Sequence, residues 1–141
     1  MKKSIILLFL TLTTLLMSGC SVPFSSKEEK LTCKMNFIFD MQADATFKDD
    51  KLTNVVLVQT LDTSDMTKEE IDLMKESMSE GTNETAGVSI KMEEKNGSII
   101  NTITYEIAKM TDEELEESNM SRNMTKEDYK NIMKESGMVC D

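Results

Sequence analysis

Every second residue between Leu31 and Phe47 is apolar, and this alternation limits the possible folds more than any other feature of the chain. The apolar positions are Leu31, Cys33, Met35, Phe37, Phe39, Met41, Ala43, Ala45 and Phe47. Because successive side chains of a strand point to opposite faces, a period of two indicates extended chain with one buried face. We predict one long strand over residues 31–47, and its length predicts a bulge or bend near Gln42–Asp44.

Further alternating segments predict two antiparallel hairpins. The first hairpin returns over residues 52–61 after a turn at Asp49-Asp50-Lys51. In the second, Asn96-Gly97 separates two alternating sets, namely Val88, Ile90 and Met92 before the turn and Ile99, Ile103, Tyr105 and Ile107 after it. Asn-Gly in this position is a strong hairpin signal, because both residues tolerate the positive φ of a type I′ turn.

Three helix starts share one pattern, in which Met precedes Thr and an acid follows three residues later. The threonines are Thr67, Thr111 and Thr125, and the acids are Glu70, Glu114 and Asp128. This pattern is a capping box, in which the Thr and the acid each accept a backbone N–H. We predict a first helix over 67–80, a short middle helix interrupted at Ser118-Asn119, and a last helix over 125–135 that stops at Gly137. The residues expected to be buried are Ile71, Met74 and Met78 in the first helix and Tyr129, Ile132 and Met133 in the last.

Together these elements predict an α+β fold, with an antiparallel sheet of two hairpins and helices packed on one face, in ββαββα order. The sequence around Met66 is similar to the sequence around Met124, and each stretch follows a hairpin. An internal duplication would explain the similarity, and chance similarity of two capped acidic helices is the alternative. Residues 31–141 are expected to form a single domain.

The first twenty residues have the pattern of a bacterial lipoprotein signal. Lys2 and Lys3 precede an apolar stretch over residues 5–17, which is too short to span about 30 Å of hydrocarbon. Met17-Ser18-Gly19 then leads directly into Cys20 and resembles a lipobox. The resemblance implies removal of residues 1–19, a diacylglycerol group on Cys20, and a protein anchored to the cell membrane on its extracytoplasmic side. An ordinary signal peptide with an accidental cysteine is the alternative.

Residues 20–30 contain the chain's only proline and no apolar period, and they predict a flexible tether. Beyond the tether, Cys33 and Cys140 flank nearly the whole domain. Outside the cytoplasm such a pair predicts a structural disulfide, with two free thiols as the alternative. Redox catalysis is disfavoured, because the spacing is unlike the C-x-x-C of redox enzymes.

The layout as a whole resembles the YehR-like family of small bacterial lipoproteins. The features that carry the resemblance are the lipobox, the tether, two long hairpins each followed by a helix, and a tail that contains Gly137. The resemblance extends over most of the mature chain. The resemblance implies a small anchored α+β domain, and it supplies no catalytic residues.

Composition argues against several classes of function. The chain has no His, which excludes Ser-His and Cys-His nucleophiles and imidazole zinc sites. Removal of Lys2 and Lys3 with the signal changes the formal net charge from −10 to −12, so the mature domain would repel nucleic acid and anionic lipid headgroups. We therefore predict no enzymatic activity, no cofactor, no metal site and no nucleic-acid partner.

Other functions stay open as alternatives. Calcium could bind acids such as Asp40, Asp44, Asp49 and Asp50, and copper(I) could bind Met74 with Met78 or Met120 with Met124. A small envelope hydrolase could use carboxylates of the middle helix. The function that we expect is a non-catalytic binding or envelope-associated role. Its protein or small-molecule partner is expected at the polar face of the sheet or at an edge strand.

Overall fold

The computed structural model describes residues 26–37, 39–79 and 83–141. Its elements are β1 (Glu28–Asn36), β2 (Asp40–Lys48), β3 (Lys51–Asp62), α1 (Lys68–Ser79), β4 (Val88–Lys95), β5 (Ser98–Glu106), a 3₁₀ turn (Ile107–Lys109), α2 (Asp112–Glu117), α3 (Lys126–Glu135) and β6 (Val139–Cys140). Within these residues the strands form one six-stranded sheet in the order β4-β5-β3-β2-β1-β6, and every neighbouring pair is antiparallel. The predicted α+β fold is confirmed.

The predicted single strand over residues 31–47 is wrong, because the chain reverses between Asn36 and Asp40 and forms the β1–β2 hairpin. Three residues separate these two positions. Odd-numbered residues of β1 therefore pair with odd-numbered residues of β2, and even-numbered residues pair with even-numbered ones. Cys33 lies opposite Ala43, and Met35 lies opposite Met41. A loop of odd length thus leaves the period of two unbroken, which is why the sequence pattern does not reveal the turn. Phe37, which the pattern places on the buried face, is 84% exposed at the hairpin tip.

The two other hairpins turn where the sequence predicts. Asp49 and Asp50 adopt φ of 52° and 61°, and Asn96 and Gly97 adopt φ of 52° and 75°. Both turns therefore use residues that tolerate the left-handed region. The predicted irregularity near Gln42–Asp44 is instead a register shift between β2 and β3, at Thr46 and Phe47.

This register shift changes which residues of β3 face the core. Leu52 lies opposite Phe47 and Val55 lies opposite Ala45, so Thr53 is the extra residue of a β-bulge. Leu52 and Val55 are three residues apart and would face opposite sides of a regular strand. Both are nevertheless buried in the same core cluster. The bulge thereby brings both of these side chains to the same face of the sheet.

Strand register places the buried apolar residues of the sheet on one face, which we call the covered face, and the helices pack against it. Tyr129 of α3 packs edge-to-face on Phe47 of β2, with ring centroids 6.0 Å apart. Lys75 of α1 bonds Glu94 of β4, which the same register puts on that face. The opposite face, called the open face, carries mostly polar and β-branched side chains. The observed order of elements, with three strands before α1 and two helices before β6, differs from the predicted ββαββα order.

The capping boxes predicted at all three helix starts are present. Thr111 and Glu114 exchange side-chain and backbone hydrogen bonds at the start of α2, and Thr125 and Asp128 do the same for α3. Thr67 and Glu70 form the third box, at the start of α1. Hydrogen bonds from backbone N–H and threonine hydroxyl groups stabilise the three carboxylates and lower their pKa below the usual values.

The predicted burial of α1 is wrong, since this helix has no buried residue and Met74 is 40% exposed. The sheet beneath this helix includes a buried polar side chain. Asn101 is fully buried there, and its amide donates to Gln59 at 3.0 Å and to the Met78 carbonyl at 3.5 Å. In α3, by contrast, Tyr129 is buried as expected, while the remaining apolar residues are half-buried.

A disulfide joins Cys33 of β1 to Cys140 of β6, which lie directly opposite each other in the sheet. It fixes a very short strand, because β6 pairs with β1 over only two residues. The link spans 107 residues of sequence and so constrains nearly the whole domain in the unfolded chain. In the chain-entropy model a loop of this length contributes about 4–5 kcal/mol to stability.

We expect Cys140→Ala to lower the free energy of unfolding by about 4–5 kcal/mol under oxidising conditions, because the unfolded chain regains the entropy of an open loop. Urea unfolding followed by circular dichroism measures the change. Wild-type protein in reductant is the matched control and should unfold with the variant. Equal stability of oxidised and reduced wild type would contradict a structural role for the disulfide.

Candidate functional site

A cavity of about 220 Å³ lies between the covered face and the α2–α3 region. Its walls combine two aromatic rings, from Tyr105 and Tyr129, with four thioether side chains, from Met41, Met120, Met133 and Met138. Aliphatic side chains of β2, β3 and α3 complete most of the lining. A concave apolar site with a few polar groups is the usual form of a small-molecule site.

Two helix ends build one side of the cavity, and both ends have the same geometry. After α2, Asn119 adopts φ of 52°, and the amide of Met120 donates to the Leu115 carbonyl at 2.8 Å. After α3, Gly137 adopts φ of 85°, and the amide of Met138 donates to the Met133 carbonyl at 2.9 Å. Both are Schellman motifs, which turn the residue after the left-handed position back toward the helix. That residue is a methionine in each case, and both methionines line the cavity.

The sheet forms the floor of the cavity, and a small side chain leaves the space. Ala43 of β2 lies between Cys33 of β1 and Leu57 of β3. It borders the cavity, whereas Ala45, two residues along the same strand, does not line it although each alanine is only 1% exposed. The helix layer thus closes tightly over Ala45 and leaves a gap over Ala43.

The two tyrosines supply neutral polar groups within this apolar lining. Loss of hydration on burial raises the pKa of Tyr105. Burial raises the pKa of Tyr129 to about 12, with smaller contributions from nearby Tyr105 and Asp44. Both phenols are protonated near neutral pH and retain a hydroxyl that can donate a hydrogen bond.

A second cavity, of about 310 Å³, adjoins the first and shares Tyr105 and Ser118 with it. Its other polar lining comes from Asn83, Thr85, Glu114 and Glu117. Hydrogen bonds from the Thr111 backbone and from the Thr85 side chain are the main causes that lower the pKa of Glu114. This cavity is thus polar and acidic where its neighbour is apolar.

Residues that the sequence analysis singled out lie mostly elsewhere. Cys20, the proposed lipidation site, and the signal over residues 1–19 lie outside the described residues. The described part of the chain contains no group of three or more His, Cys, Asp or Glu placed to hold a metal ion. Asp44, one of the calcium candidates, accepts hydrogen bonds from Thr32 at 2.6 Å and Gln42 at 2.7 Å on the open face. No helix among the described residues is long and apolar enough to span a membrane.

The cavity combines residues that the sequence analysis treated separately. Met120 was considered together with Met124 as a copper ligand, but Met124 is buried in the core and only Met120 borders the cavity. One sequence signal does point to this site. Glu-Ser-Asn-Met at 117–120 and Glu-Ser-Gly-Met at 135–138 repeat one helix-end pattern, and both methionines line the same wall.

Comparison with known proteins establishes the fold alone. A scan against protein-family models finds no match, and a search of curated proteins finds none. Among solved structures, the chain is similar to the NMR structure of the Escherichia coli YehR protein, with a TM-score of 0.66 and 19% sequence identity. The alignment covers 83% of this chain and 93% of that one. The YehR-like fold implied by the layout is thus supported.

The gap over Ala43 predicts different outcomes for two equivalent substitutions. We expect Ala43→Leu to cost less than about 1 kcal/mol, because its added carbons enter the cavity. Ala45→Leu should cost about 1–3 kcal/mol, because it overpacks a filled part of the core. Urea unfolding of both variants measures the difference. Equal losses would show that the cavity is closed in solution.

Proposed function

We propose that this protein is a non-catalytic, lipid-anchored binding protein, which holds a small apolar or aromatic molecule in the methionine- and tyrosine-lined cavity. The observation that carries the proposal is the cavity itself, which is formed by the sheet and by two helix ends. An apolar cavity of about 150 Å³ is large enough to bind benzene. The space of about 220 Å³ therefore suits a ligand somewhat larger than a single benzene ring.

The chemistry of the lining supports reversible binding. Methionine side chains are flexible and polarisable, so they adapt to ligands of different shape. The four cavity methionines come from β2, from the α2 end, from α3 and from the α3 end. Protonated Tyr105 and Tyr129 add directional hydrogen-bond donors without adding charge. These properties favour a neutral apolar body in this part of the site.

Two observations support an extracytoplasmic location. The Cys33–Cys140 disulfide is typical of proteins that function outside the reducing cytoplasm. The sequence that leads into Cys20 has the lipobox pattern, and β1 begins shortly after it at Glu28. An anchor on Cys20 would hold the domain close to the membrane through a short tether.

Lipidation predicts a specific loss of acyl label. We expect the wild-type protein in a bacterial host to incorporate labelled palmitate, and Cys20→Ser to incorporate none, because the acceptor sulfur is removed. Cys140→Ala is the matched control and should retain the label. Label in Cys20→Ser would contradict the lipoprotein assignment.

Binding predicts a saturable response at the cavity methionines. We expect 2-phenylethanol to shift the ¹³C-methyl NMR signals of Met120, Met133 and Met138 in the full chain, reconstituted in nanodiscs. Met74, which is exposed on α1, provides an internal control signal. Ala43→Leu should weaken binding and so reduce the shifts, because its added carbons occupy part of the cavity. Absence of saturable shifts in the wild-type protein would contradict the binding function.

Copper(I) binding is a second candidate, because thioethers are soft ligands and four of them border one cavity. Met133→Leu separates the two candidates, since it removes a sulfur and keeps a similar volume. Ligation by sulfur would be weakened by this change, whereas 2-phenylethanol binding would be retained. The aliphatic and aromatic remainder of the lining favours the apolar ligand.

A further inference from the structure

The two cavities that share Tyr105 and Ser118 differ sharply in chemistry. Tyr105 and Ser118 stand in the walls of each, so the apolar and acidic spaces meet at these two residues. On one side are thioethers, aromatic rings and aliphatic groups. On the other are two carboxylates, an amide and a hydroxyl. Such a junction fits a molecule with an apolar body and a polar head.

The carboxylates of the acidic cavity favour a polar head that carries a positive charge. Glu114 and Glu117 both border this cavity, and among the described residues no lysine or arginine lines either of the two cavities. The final turn of α2, which carries Glu117, also has no basic residue. The formal net charge of −10 adds a field that attracts cations toward the domain. A negatively charged head would therefore be repelled, and a positively charged head would find two carboxylates.

We infer that the ligand is an amphiphilic cation, whose alkyl or aryl group fills the apolar cavity while its ammonium group lies against Glu114 and Glu117. This inference rests on the proposed binding function and adds the chemical class of the ligand. The hydroxyl of Ser118 and the phenol of Tyr105 stand at the junction, where they are available to the polar end of the molecule. Burial of the apolar group supplies most of the affinity, and the carboxylates supply the selectivity for charge.

Three probes of similar shape and different charge test this inference. They are 2-phenylethylamine, which is a cation at neutral pH, the neutral 2-phenylethanol, and the anion phenylacetate. Dissociation constants for the full chain are measured from the methionine methyl signals. We expect the amine to bind about 2- to 5-fold more tightly than the alcohol, which is the range for a solvent-exposed ion pair. Phenylacetate should bind most weakly.

Substitution of the carboxylates locates the origin of the preference. Glu114→Gln with Glu117→Gln should weaken amine binding to the level of the alcohol and leave alcohol binding unchanged. Gln also serves in a capping box, so the start of α2 is preserved. Glu113→Gln is the matched control, because this exposed acid lies on the same helix and lines neither cavity. It should keep the preference for the amine.

Each outcome has a distinct meaning. Equal affinity of amine and alcohol in the wild type would overturn the inference and leave the apolar binding function intact. No saturable binding of any probe would overturn both. If the double variant fails to fold, Glu117→Gln alone and a salt titration of the wild type replace it. The amine preference should fall in both, since salt screens exposed charges, and a preference insensitive to both would overturn the role of the carboxylates.

Discussion

Burial of one face of an antiparallel sheet is the constraint on which the rest of this structure depends. Alternation along β1 and β2 puts their apolar side chains on the covered face, and the bulge at Thr53 keeps Leu52 and Val55 of β3 on that face too. The helices then have only one apolar surface on which to pack. Because they do not cover it evenly, the apolar cavity lies in this same layer.

The ends of α2 and α3 determine where the cover is incomplete. Each helix stops in a Schellman motif, which requires a residue in the left-handed region and directs the following side chain back toward the helix. The cavity is therefore a product of helix termination, with Met120 and Met138 as its flexible walls. The disulfide contributes as well, because it joins β6, which follows α3 directly, to β1 of the sheet.

Two of the chain's many acidic residues, Glu114 and Glu117, line the polar cavity. Most of the chain's acids lie on exposed surfaces, where high charge keeps a small domain soluble. Glu114 has a structural role in the α2 capping box and also borders the polar cavity. The same carboxylate thus caps the start of α2 and lines the polar cavity.

The sequence by itself determined the period of the strands, two of the three hairpin turns, all three capping boxes and the cysteine pair. These features depend on interactions between neighbouring residues or on the alternation of a single strand. The tertiary structure decided the reversal between Asn36 and Asp40. A connection of three residues keeps the alternation of apolar and polar residues unbroken, so the sequence pattern does not reveal the turn. The tertiary structure also decided the shallow packing of α1, because the apolar spacing within a helix does not show how closely the helix will approach the sheet. The cavity required both levels: local sequence fixed the two helix ends, and only packing of the helices on the sheet brought them together over Ala43.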